Sequence, residues 1–197
     1  MSFSFGCNLS GIRSPRRVSG KPIERQTMLE TYLKMLDLVY FEVPFAFEGL
    51  SDENVWKRPA PRLLSVGELA GHIAYWEAIK FADAGGAEEH PDLTRCAVRS
   101  LLIDHRFRYH TTTLAMSPSD EHRAMTAEKV CQELLRIHGE NRTYFLAQSH
   151  DLTRPVPGYP PQFTYEELLK YNIFHVSYHT GQMYTVRHLF GEETPDN

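Results

Sequence analysis

Cysteine is scarce in this chain of 197 residues. Cys7, Cys96 and Cys131 are odd in number and form no CxxC, which disfavours a disulfide framework or a thiolate zinc site and suits a reducing, cytoplasmic compartment. Long apolar runs are missing too. None approaches the roughly 18 residues of a membrane helix, and the N-terminal segment lacks the apolar stretch of a secretory signal. Charge is not in excess of either sign. With 21 Lys+Arg against 25 Asp+Glu, the net charge is −4, so neither nucleic acid nor a membrane is an expected partner. Several catalytic signatures are also absent: no GxSxG elbow, no Walker loop, no GxGxxG after a strand and no HExxH.

What remains is a globular composition, 42% hydrophobic and 12% aromatic, with ten histidines. That suffices for one domain with a substantial core. Residues 1–21 mix Ser, Gly, Pro and Arg without helical periodicity and read as a disordered, solvated basic tail (Arg13, Arg16, Arg17, Lys21). The folded domain is expected over 22–197, and Met28 is an alternative to Met1 as the natural start.

Four segments carry the 3.6-residue period of amphipathic helices. The first runs from about Ile23 to Phe47, with Leu29, Tyr32, Leu33, Leu36 and Val43 on one side and Pro44 expected to kink or end it. The second opens with the capping box Ser65-Val66-Gly67-Glu68 and carries the stripe Leu69, His72, Ile73, Trp76, Ile79. The third spans about Ala127 to Gln148. The fourth opens with a second capping-box pattern, Thr164 to Glu167, and runs to Phe190 before Gly191 and Pro195. Residues 85–125 have no clear period; short extended pieces or an irregular helix are expected there. Four helices with a long crossover between the second and third predict an all-α, four-helix bundle.

The fourth helix holds the chemistry. His175 and His179 are four apart, hence about 6 Å apart along the axis and about 40° around it. Leu168, Val186 and Phe190 share that face, so the pair points into the bundle. His72 also faces inward from the second helix. Two readings stand: hydrogen-bonded core histidines, or three imidazoles gripping one ion. His188 is about half a turn away from His179 and is expected to point elsewhere. Gln182 either orients a ligand or closes a helix contact, and Asn172 either meets substrate or a bound water. His138 is either a base near the site or a core residue; Trp76 packs the core or lines the pocket. Glu77, about 140° round from His72, is expected in solvent. Glu166 and Glu167 complement the positive end of a helix dipole. His105 and His110, five apart, have poor spacing for a shared role.

The stretches Ser65–Glu77 (SVGELAGHIAYWE) and Tyr171–Gln182 (YNIFHVSYHTGQ) resemble the DinB superfamily, the damage-inducible, YfiT-like metal-binding four-helix bundles. Gly49–Pro61, Asp151–Gly158 and Leu189–Pro195 are similar as well. The resemblance covers roughly Leu29 to Pro195, weakly between 85 and 125. It implies that His72, His175 and His179 bind a divalent metal. Three neutral imidazoles leave coordination positions open, and both Zn²⁺ and Ni²⁺ accept them. The resemblance further implies a thiol-dependent S-transferase, using a low-molecular-weight thiol, or a metal-dependent hydrolase, in either case on a small-molecule substrate. The alternative is a non-catalytic metal-binding stress-response bundle acting through a protein partner. A homodimer is expected. Gln182, Asn172 and His138 are the candidate catalytic residues. Arg142 and Arg187 are candidates for holding the carboxylates of an anionic thiol.

Overall fold

The computed structural model describes residues 22–83, 91–109 and 117–195. The basic tail 1–21 with Cys7, the Gly85-Gly86 pair and His110 lie outside the described residues. Six α-helices are present among the described residues: α1 (Pro22–Phe47), α2 (Asp52–Val55), α3 (Val66–Phe81), α4 (Asp120–Arg123), α5 (Ala127–Ala147) and α6 (Tyr165–Leu189). Four of them, α1, α3, α5 and α6, pack as a bundle, and no strand occurs among the described residues. The described part of the crossover holds two 3₁₀ turns, Leu93–Arg95 and His105–Phe107, and α4. Its lack of a 3.6 period therefore reflects tight turns capped by Asp92, Asp104 and Ser119 rather than extended chain.

The helix starts follow from their caps. Ser65 and Glu68 form the full reciprocal box, with Ser65 N–H donating to Glu68 at 2.8 Å. At α6 only half of the expected box exists: the Thr164 hydroxyl accepts from Glu167 N–H. The Glu167 carboxylate instead pairs with Lys170 at 3.0 Å, one turn along. Pro44 lies inside α1, which ends within one turn of it.

Side-chain pairs give the helix directions. Tyr32 meets Glu166 and Tyr184 meets the Glu42 carbonyl, so α1 and α6 are parallel. Glu77 meets His138 and Phe81 meets Phe145, so α3 and α5 are parallel too. His72 faces His179 while Lys80 faces Tyr171, which makes α3 and α6 antiparallel. Asp37 meets Arg142 and Tyr40 meets His138, so α1 and α5 are antiparallel. The order is up, down, down, up. A long crossover is obligatory because two consecutive parallel helices cannot be joined by a tight turn.

Every residue of α3 is buried. This corrects the expectation that Glu77 is solvated: it is 2% exposed. A helix surrounded on all sides has no solvent face to receive a charge. Glu77 is compensated instead by Tyr40 Oη, donating at 2.8 Å, and by His138 Nδ1 at 3.2 Å. Glu68 is likewise held by Arg58 and by the Tyr109 hydroxyl. Cys96 and Cys131 are buried free thiols, and burial raises each to about 11, which leaves them unreactive. Among the described residues no helix is long and apolar enough to cross a membrane.

Candidate metal centre

The antiparallel contact of α3 with α6 brings His72 against the His175–His179 pair. Ring centroids lie 5.0 Å (His72–His175), 4.6 Å (His72–His179) and 4.5 Å (His175–His179) apart. One nitrogen from each ring lies within 4.8 Å of the others, so the group could hold a metal ion. Tetrahedral bonds of about 2.0–2.1 Å place ligand nitrogens about 3.3 Å apart. From separations within 4.8 Å, closing the set brings the nitrogens nearer by up to about 1.5 Å.

Two of the rings are already oriented. His72 Nδ1 lies 2.8 Å from the Phe107 carbonyl oxygen. A carbonyl only accepts, so Nδ1 carries the proton and Nε2 carries the lone pair. His179 Nδ1 lies 2.6 Å from Gln182 Oε1, and Gln182 Nε2 donates to the Tyr178 hydroxyl at 3.2 Å, which fixes the amide the right way round. This is the anchoring that ligating histidines use: one nitrogen tied to an acceptor, the other presented to the ion. Burial, then Lys80 and the other two imidazoles, pushes His175 far below its ordinary value. Burial likewise lowers His179, against the opposing effect of Gln182. Both are neutral at pH 7, as ligands must be. The donor set fits a divalent transition ion.

A family model described as the DinB superfamily matches residues 35–183, a span that includes all three histidines and Gln182. The chain belongs to the DinB superfamily. Comparison with curated proteins finds no match.

In this DinB superfamily chain the triad opens onto a cavity of about 660 Å³, within the usual range for small-molecule sites. Its walls are aromatic: Trp76 from α3, Tyr171, Phe174 and Tyr178 from α6, Tyr109 from the crossover, and Tyr159 with Phe163 from the loop before α6. Trp76 thus both packs the core and lines the pocket. Its indole N–H donates to the Arg108 carbonyl at 2.9 Å. Lys80 completes the lining.

Several expected participants are elsewhere. His138 is not at the site. It stacks on Tyr40 at 3.6 Å between centroids and is bracketed by Glu77 and Asp37, in the opposite part of the core. Burial pushes His138 down, but the two carboxylates outweigh that and hold it above its ordinary value. Asn172 is buried but does not line the cavity, and its Nδ2 has no hydrogen-bond partner among the described residues. Arg142 is engaged by Asp37 at 2.8 Å. Arg187 is buried between Glu192 and the Ala46 and Glu193 carbonyls, where it ties the end of α6 to the end of α1. Neither arginine lines the cavity. His188 bonds to Thr194 at 2.8 Å, away from the triad.

Two contributions go beyond the sequence-based expectations. Residues 105–109 lie flat on α3: the Phe107 carbonyl holds His72, the Arg108 carbonyl holds Trp76 and the Tyr109 hydroxyl reaches Glu68. The aromatic wall had a signal in the spacing 171, 174, 178, which runs alongside 175 and 179 on the same helix.

Proposed function

We propose that this chain is a metal-dependent enzyme that uses the three imidazoles to activate a low-molecular-weight thiol for transfer to a small organic electrophile. The observation that carries the reading is the pair of Nδ1 anchors, which aim His72 and His179 at one point on the wall of an aromatic cavity. Zn²⁺ and Ni²⁺ are the ions best matched to this donor set. An ion held by His72, His175 and His179 would supply Lewis acidity that lowers the pKa of a thiol or water toward neutrality. The chain's own residues do the rest: the Phe107 carbonyl and Gln182 fix ring orientation, and the aromatic walls bind the substrate's apolar body and exclude water.

Thiol transfer is favoured over hydrolysis by the lining. Among the described residues no carboxylate faces the cavity, so no carboxylate there takes a proton from water or returns one to an oxygen or nitrogen leaving group. A thiolate attacking carbon and expelling a stable anion needs neither. The test is metal analysis of gently purified protein, followed by incubation with glutathione, cysteine or coenzyme A and 1-chloro-2,4-dinitrobenzene. In that assay the C–S bond forms, the C–Cl bond breaks, chloride leaves and the thiol proton goes to solvent. One equivalent of metal and turnover abolished in His175→Ala are expected. Metal without turnover on any thiol or electrophile would favour a non-catalytic metal-binding bundle, and no metal would leave three core histidines.

A further inference from the structure

Lys80 is 5% exposed, lies two turns beyond His72 on α3 and lines the same cavity. Its Nζ stands 4.0 Å over the Tyr171 ring and 5.4 Å from that of Trp76. Among the described residues it has no ion pair and no hydrogen bond. The carboxylate nearest along its own helix, Glu77, faces Tyr40 and His138 in the bundle core. Burial lowers Lys80 to about 7 against the opposing effect of Glu77, and two cation–π contacts offset only part of the cost of desolvating its ammonium, which a nearer counter-charge would offset further. The cavity is where one could sit.

We infer that Lys80 receives the anionic group of the substrate, and that the substrate class is a flat organic carboxylic acid whose other end reaches the three imidazoles. This deepens the reading above and rests on it. The Tyr171 ring links the two ends: Lys80 lies over it, and His175 stacks beside it at 5.7 Å and 25°. A planar body lying along Tyr171 therefore spans from the ammonium to the triad. Phe174 and Tyr178, 59% and 52% exposed, are apolar surface for such a body to cover. A carboxylate is favoured over a phosphate ester because, among the described residues, the lining offers one lysine and no arginine fork, whereas phosphate dianions recruit several donors.

Calorimetry on the full, metal-loaded chain tests this with 2-naphthoate and its neutral counterpart 2-naphthamide. Wild type should bind the acid at least about tenfold tighter than the amide. Lys80→Met should lose that preference at unchanged metal content, and Lys80→Arg should keep it. In the wild type, naphthoate should also slow reductive methylation of Lys80 more than naphthamide does, a readout independent of how the variants fold. Equal binding of acid and amide by wild type would overturn the inference. So would a preference that survives in Lys80→Met, since the carboxylate would then sit on the ion. If the wild type holds no metal, the metal reading fails by itself, and the same acid-over-amide comparison on that protein still decides the role of Lys80.

Discussion

Adding one methyl group at Gly71 probes both the packing of α3 and the orientation of its metal ligand. A Cβ there would stand 2.5, 2.6 and 2.8 Å from Cγ, Cδ2 and Cδ1 of Phe107. Carbon atoms pack at about 3.5–4.0 Å, so the fully buried ring must retreat by about 1 Å. Overpacking of this kind costs about 1–3 kcal/mol. Alanine regains up to about 1 kcal/mol of helix propensity, leaving a net loss of about 1–2 kcal/mol. The second effect is chemical. The carbonyl of the same Phe107 holds His72 Nδ1, and loosening such a partner costs about 10–100-fold in metal affinity. Urea unfolding of metal-free Gly71→Ala reads the first effect, and zinc competition against a chromogenic chelator reads the second. Gly67→Ala is the control. Its Cβ would meet the Trp56 ring at 2.7–2.8 Å, so stability should fall similarly while zinc affinity stays close to wild type. Wild-type zinc affinity in Gly71→Ala, or an equal loss in both variants, would refute the idea that Phe107 orients His72.

Four further outcomes are expected. His179→Ala should lose metal and activity, whereas His188→Ala, whose ring is tied to Thr194, should lose neither; equilibrium dialysis distinguishes them. Metal affinity should be flat above about pH 6.5 and fall only in more acid solution, because His175 and His179 are both held below their ordinary value. His138 has the opposite sign: raised in the folded state, it stabilises fully below the ordinary imidazole value and loses that contribution as pH rises through its folded value. Urea titrations should therefore show the advantage of wild type over His138→Gln shrinking above about pH 6.5. Gly139→Ala, at an exposed interior position of α5 with nothing within 4 Å of the new methyl, should stabilise by about 0.5–1 kcal/mol in the same assay.

The main helices and the histidine triad were readable because each left a periodic trace. α1 and α5 begin and end within a residue or so of the expected bounds, since apolar stripes and Ser or Thr caps define amphipathic helices locally. The triad was readable from one i,i+4 pair and one histidine on an apolar stripe. Glu77 and Lys80 were not, because helical phase assigns a charge to solvent only when a helix has a solvent side, and α3 has none. The crossover was opaque for another reason. Its contacts on α3 are made by backbone carbonyls of residues 107 and 108, and a carbonyl is the same in every amino acid.

The up, down, down, up order has a kinetic consequence. The closely packed helix pairs are α3 with α5, α1 with α6, α3 with α6 and α1 with α5. No two long helices joined by a short connection form a hairpin that could act as a local nucleus, and the consecutive pair that does pack, α3 with α5, is parallel and bridged by residues 82–126. Contact order is accordingly high for a helical protein, and folding should be slower than in bundles built from adjacent hairpins. During synthesis α3, which is buried on every side in the folded chain, emerges without its partners and waits for α5 and α6, which exposes its apolar residues to aggregation. Hydrogen-exchange pulses during refolding should show α1 and α3 gaining protection together with α5 and α6, in one step rather than in chain order.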